Sequence, residues 1–254
     1  MTDDLEKAAR RALASLDLTD LTDDCDTVAI KRLCGRAVTG HGSVAAVCIW
    51  PRFVAQARPL VAGTCVKIAT VVNFPSGDEG PEKVAADIRA AITDGADEID
   101  LVLPYRALIA GRDGAARAMV ALARATTPRA ALKVILETGE LQDPGLIEDA
   151  ARLAIAEGAD FIKTSTGKVK INATLEAARI MLEVIEKSDR PVGFKPAGGI
   201  RTVEDAAQYL ALADEIMGAG WATAESFRFG ASGVLDAIIA TLGGEVVPKS
   251  GSAY

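Results

Sequence analysis

The stretch DPGLIEDAARLAIAEGADFIKT, residues 143–164, holds one complete helix-to-strand unit. Asp143-Pro144 is a helix start, because the carboxylate can accept a first-turn N–H and proline tolerates the first helical position. Residues 145–156 then repeat apolar side chains with the 3.6-residue period of an amphipathic helix. Gly158 stands where a helix C-cap favours a residue tolerant of positive φ. Residues 160–164 follow as a short, mostly apolar run of strand length. The phrase recurs upstream, where Gly95-Ala96-Asp97 leads into 98–103.

Working outward, the same alternation fills most of the chain. Strand-like runs occupy 44–49, 67–72, 98–103, 132–137, 160–164, 192–195, 214–217 and 227–229. Helical periodicity separates them, with further starts at Gly80-Pro81-Glu82 and Thr202-Val203-Glu204-Asp205, where Thr202 and Asp205 have the spacing of a capping box. Strands alternating with helices imply a parallel sheet covered on both faces. Eight units in 254 residues fit a closed (β/α)8 barrel, a TIM barrel, in one domain over 1–254. An open doubly wound sheet is the alternative, but Trp50-Pro51-Arg52 is not the glycine-rich turn expected after its first strand. Residues 1–43 read as an N-terminal helical extension across the bottom of the barrel. Residues 243–254, rich in Gly, Ser and Pro, read as a flexible tail.

Composition narrows the function. The chain carries one histidine, too few for a His-based zinc site, and four cysteines at positions 25, 34, 48 and 65 with no metal-type spacing. Those thiols are expected to be free in a reducing cytoplasm. A net charge of −7 argues against a nucleic-acid binder. No apolar run approaches the ~20 residues of a membrane span, and the charged N-terminus has no secretory pattern.

The informative charges lie inside strands. Successive strand residues point to opposite faces. Ile99, Leu101 and Leu103 therefore face the helices and Asp100 points inward. Lys163 lies opposite Ile162 and Thr164, Lys195 lies opposite Phe194, and Lys133, Ile135 and Glu137 share one face. Buried charges need partners, so a structural ion-pair network is one reading. Lys163 and Lys195 both sit at the C-terminal ends of strands, however, where barrel active sites lie. Two facing lysines suit amine catalysis: a neighbouring cation and a dry site disfavour one ammonium, and the freed amine attacks a carbonyl to form a Schiff base. Asp100 can then act as general acid/base. This chemistry calls for no metal and no cofactor.

Two glycine-containing loops are candidate phosphate sites: Gly198-Gly199 after 192–195, and Gly230 with Ser232-Gly233 after 227–229. Each opens a helix, whose N–H groups and dipole favour an anion. Thr164 and Lys168, in Thr164-Ser165-Thr166-Gly167-Lys168, could add a hydroxyl and a cation.

These phrases resemble the deoxyribose-phosphate aldolase family of class I aldolases. The most specific are 160–168 (DFIKTSTGK) and 193–199 (GFKPAGG). Leu16-Asp17-Leu18-Thr19, 47–53, 95–100, 104–108 and 137–141 match as well, so the resemblance runs from about residue 5 to 242. It implies reversible cleavage of 2-deoxyribose 5-phosphate to acetaldehyde and glyceraldehyde 3-phosphate. Lys163 would form the Schiff base, Lys195 would be the second lysine, and Asp100 the acid/base. Asp17 and Cys48 would line the pocket near the sugar hydroxyls, and the terminal Tyr254 would take part in proton transfer. The resemblance suggests a monomer or homodimer whose partners are phosphosugars and aldehydes. One departure stands out. The family commonly has two serines after the last strand, and here the pair is Ser232-Gly233, which removes one hydroxyl donor from the phosphate.

Overall fold

A computed structural model describes residues 2–243. Eight strands run β1 (Leu16–Asp20), β2 (Ala46–Ile49), β3 (Lys67–Val72), β4 (Glu98–Val102), β5 (Ala131–Ile135), β6 (Phe161–Lys163), β7 (Gly193–Lys195) and β8 (Phe229–Ala231). Sequential neighbours pair in parallel from β1 to β7, and β8 pairs with β1. Single bridges at Phe194–Phe227 and Ala197–Gly230 join β7 to β8 and close the barrel.

Two expectations from the sequence are corrected here. The first concerns residues 1–43, which are not only an extension: they include β1, the first barrel strand, and helix α2 (Thr27–Arg36). Only α1 (Thr2–Ala14) precedes the barrel, and among the described residues it packs on the last two helices, residues 203–217 and 234–241. The second concerns 214–217, which is the last turn of the helix Val203–Met217. A four-residue run with two apolar positions does not separate strand from helix. Its acidic pair faces outward, with Asp214 bound to Arg11 at 2.6 Å and Glu215 bound to Arg179 at 3.0 Å. With both changes the number of barrel strands among the described residues stays eight, but residues 192–195 belong to the seventh barrel strand rather than the sixth. The two glycine loops therefore follow β7 and β8, neighbours across the barrel seam.

Local signals position the strands. Thr202 and Asp205 form the expected capping box, and Asp143 accepts Leu146 N–H at the start of its helix. Gly95 and Gly158 adopt φ of 104° and 98°. Each is followed two residues on by an aspartate, Asp97 or Asp160, that accepts a strand N–H, from Ile68 or Leu132 respectively, at 2.8 Å. Arg58 and Arg124 bind these two carboxylates from the preceding helices. The device anchors the lower ends of β3 and β5 and so sets the register of the charged residues above.

The main aliphatic core lies between strands and helices. A separate apolar cluster of Leu21, Ala46, Cys48, Ala69 and Val71 fills the interior beside β2 and β3. Charged residues lie in the rest of the interior, beside Phe161 and Ile135. Phe161 packs against Gly193, where an added Cβ would lie 2.2 Å from the ring. Gly193→Ala is expected to lower stability by about 1–3 kcal/mol through overpacking, read as a shift of the urea midpoint. An unchanged midpoint would mean that Phe161 can move aside.

Candidate active site

Asp100 lies on β4 between Ile99 and Leu101, which enter the outer core, so its carboxylate turns inward and is fully buried. Its register partner on β5 is Lys133, and Lys163 on β6 is the register partner of Lys195 on β7. Paired residues of parallel strands face the same side, so the register stacks these four groups in adjoining interior layers. Asp100 Oδ1 accepts from Lys133 Nζ at 2.8 Å. Asp100 Oδ2 accepts from Lys163 Nζ at 2.9 Å and from Lys195 Nζ at 2.8 Å. One carboxylate therefore serves three lysines, and the two strand-end amines share one oxygen.

Further groups complete the cluster. Asp17 on β1 accepts from Lys195 through Oδ2 and from Arg228 through Oδ1, the latter at 2.7 Å. Glu98, two residues before Asp100 and on the same face, binds Arg228 at 2.8 Å and Lys133 at 2.6 Å. The Arg228 guanidinium also lies over the Phe161 ring.

Burial opposes the charges of Asp17, Glu98, Asp100, Lys133, Lys195 and Arg228, and their partners outweigh it. Asp100 sits well below the usual carboxylate range because Lys133, Lys163 and Lys195 surround it. Asp17 is lowered by Lys195 and Arg228, and Glu98 by Lys133 and Arg228. Lys195 is held above the ordinary lysine range by Asp100 and Asp17, and Lys133 by Asp100 and Glu98. These two lysines are fixed ammonium groups. Lys163 differs in exposure: its side chain is 4% exposed where those of Lys133 and Lys195 are at 0%. Among the described residues its ion pair is with Asp100.

Lys133 and Glu137 share a face but do not pair. Glu137 turns to the β6 loop, accepting from Thr166 N at 3.1 Å and Thr166 Oγ1 at 2.6 Å. Its left-handed backbone (φ 59°) aims the carboxylate there, and burial raises its pKa. Cys48 lies in the interior apolar cluster with its thiol pushed up by burial. Thr164 is buried, and its hydroxyl is bonded to the Ala197 backbone, accepting from N at 3.0 Å and donating to O at 3.4 Å. It joins the β6 and β7 loops. Lys168 is on the same β6 loop and reaches Asp23 of the β1 loop at 3.5 Å.

The two glycine loops are hydrogen-bonded into one surface. Gly230 N donates to Pro196 O at 2.9 Å and Gly198 N to Gly230 O at 3.2 Å. A side chain at 230 would collide with Ala197, and Gly198 and Gly199 take φ of 82° and 85°. Ser232 is exposed, and Gly233 is the N-cap of Val234–Thr241 with no side chain capping the helix. Tyr254 and the tail from 244 lie outside the described residues. The sequence reading missed Glu98 and Arg228. The period-two alternation that singled out Asp100 places Glu98 on the same face, and that is the signal that could have found it.

Comparison with known proteins agrees with this geometry. The model of the DeoC/LacD family aldolases matches residues 11–234. A deoxyribose-phosphate aldolase of Agrobacterium fabrum is 57% identical over 259 residues, with both chains fully covered. A candidate deoxyribose-phosphate aldolase of Toxoplasma gondii ME49 superimposes with a TM-score of 0.86 at 27% identity, covering 94% of this chain and 97% of that one. The tetrameric deoxyribose phosphate aldolase of Aeropyrum pernix shares the fold, with a TM-score of 0.73 at 22% identity over 95% and 96% of the two chains. On the family match and the full-length relative alike, the chain belongs to the DeoC/LacD aldolase family.

Proposed function

We propose that this chain is a class I aldolase that reversibly cleaves 2-deoxy-D-ribose 5-phosphate to acetaldehyde and D-glyceraldehyde 3-phosphate, with Lys163 as the amine. The observation that carries the reading is the Lys163–Asp100–Lys195 triad, in which Asp100 Oδ2 holds both strand-end nitrogens within 2.9 Å. Of Lys133, Lys163 and Lys195, Lys163 is the one whose side chain is not wholly buried, at 4% exposed, and it lies at the end of its strand, where barrel active sites open.

Neutral Lys163 adds to C1 of the open-chain sugar, and the carbinolamine loses water to give a protonated imine. The C3 hydroxyl gives up its proton, the C2–C3 bond breaks, and its electron pair moves toward the imine nitrogen. Glyceraldehyde 3-phosphate leaves and an enamine remains on Lys163. Protonation at C2 and hydrolysis release acetaldehyde and the free amine. A carboxylate ringed by three ammonium groups is a weak base. Once Lys163 is neutral, one of those cations is gone and Asp100 becomes more basic, with Lys195 as a proton donor on the same oxygen. The phosphate is taken by the joined loops of Gly198, Gly199, Gly230, Ser232 and Gly233, with Lys168 at the rim and Asp17, Cys48 and Thr164 walling the pocket below.

The enzyme is read as cytoplasmic and as a monomer or homodimer. Cys25, Cys34, Cys48 and Cys65 are all free, which supports a reducing compartment, and none of the described helices is long and apolar enough to cross a membrane.

Borohydride reduction in the presence of acetaldehyde tests the reading. The expected product is an ethyl group on Lys163, located by peptide mass mapping. A label on another lysine, or no label, sinks the assignment.

A further inference from the structure

We infer that Glu98 and Arg228 are positioning residues that fix the charge of the lysine cluster and thereby free Lys163 as an amine. The inference rests on the aldolase reading above. Six buried groups form a closed ring of alternating charge. Asp17 binds Arg228 at 2.7 Å, Arg228 binds Glu98 at 2.8 Å, and Glu98 binds Lys133 at 2.6 Å. Lys133 then binds Asp100 at 2.8 Å, Asp100 binds Lys195 at 2.8 Å, and Lys195 returns to Asp17. Three carboxylates and three cations sum to zero. Lys163 hangs from this ring at Asp100 Oδ2 as a seventh group.

Protonated Lys163 adds a positive charge to a ring that is already neutral, and added charge in a dry interior is disfavoured. Loss of its proton removes the excess and breaks none of the six ring contacts. Lys133 and Lys195 have no such freedom, because each bridges at least two ring carboxylates. Glu98 and Arg228 make no contact with Lys163 and act through the ring.

The charged and titratable groups around Lys163 are Asp100 from β4, Lys133 from β5, Lys195 from β7, Asp17 from β1, Cys48 from β2, Arg228 before β8, and Glu137 beyond β5. Glu137 and Cys48 stand outside the ring and are unchanged in every variant below.

The test is the pH dependence of borohydride trapping of acetaldehyde on Lys163, measured beside that of kcat/KM. Glu98→Gln leaves the remaining ring with a net positive charge, so the acid limb of both profiles is expected to move down by about one pH unit. Arg228→Gln leaves it net negative, so Lys163 is retained as ammonium. The limb moves up by about one unit, with a loss that approaches tenfold on its acid side and disappears above it. The double variant Glu98→Gln/Arg228→Gln restores neutrality and the wild-type limb, and Arg228→Lys keeps it. A purely structural role predicts the reverse pattern: losses equal at every pH, unmoved limbs, and a double variant worse than either single one. That result overturns the proposal. Should Arg228→Gln fail to fold, an unmoved limb in Glu98→Gln overturns it alone. A wild-type protein that traps no aldehyde would refute the aldolase reading and this inference together, whereas trapping with unmoved limbs refutes only the inference.

Discussion

Lys163→Met is expected to lower kcat/KM by about 10⁴-fold or more, as loss of a covalent nucleophile does, while leaving the barrel folded. The two halves of this expectation come from the same geometry. The amine that forms the imine cannot be replaced by its neighbours, because Lys133 and Lys195 are each held as ammonium by at least two carboxylates. Lys163 supports only one ion pair, and Asp100 keeps Lys133 and Lys195 when it goes. Methionine has similar length and no charge, so it fills the space and leaves no carboxylate orphaned. The substitution breaks the buried pair with Asp100 but leaves that carboxylate its two other lysines, so thermal or urea unfolding should place the variant within about 1 kcal/mol of wild type, the centre of the range for point substitutions. Turnover within tenfold of wild type would remove Lys163 from the covalent role. Loss of folding would show that Lys163 is a structural counter-ion after all.

The legible parts of this protein are those where local pattern and function coincide. Asp100, Lys163 and Lys195 stand out because each interrupts an apolar strand, and period-two alternation alone turns them inward. β1 is hidden for the opposite reason. Its five residues, Leu16 to Asp20, include two aspartates, so the strand lacks an apolar run even though Asp17 is buried in the interior. Residues 214–217 mislead because Ile216 and Met217 complete a helical stripe. Arg228 could be suspected as a charge between Phe227 and Phe229 in the strand-like run 227–229. Its partners Asp17 and Glu98 lie 211 and 130 residues away, however, and only barrel closure brings them within reach. Pairing across a closed sheet is a property of register, and no local signal encodes it. The glycine loops show the same limit: each reads as a turn, and their union appears only when β7 meets β8.

Asp100→Asn is expected to cost about 3–5 kcal/mol of stability at pH 7, the range for removing one partner of a buried ion pair, and to abolish measurable aldol turnover. The amide can still accept a hydrogen bond, but it leaves the ammonium groups of Lys133 and Lys195 around a neutral centre. Lys133 keeps Glu98 and Lys195 keeps Asp17, so the barrel loses its central carboxylate rather than every counter-ion. The pH dependence distinguishes this account from a packing defect. The folded-state pKa of Asp100 is depressed below its unfolded value by Lys133, Lys163 and Lys195 acting against burial. A depressed carboxylate contributes stability that is fully present above the unfolded pKa, about 3.9, and is lost as pH falls toward the folded value. The gap between wild type and Asp100→Asn should therefore be full at pH 7 and at pH 5.5 and should narrow below about pH 4. Asp17 and Glu98, whose pKa values are also depressed, remain in both proteins and cancel to first order in the difference. Urea unfolding at these pH values measures it. A gap that stays constant into acid would mean that the aspartate matters for its shape and hydrogen bonds, and the electrostatic role assigned to it here would fall.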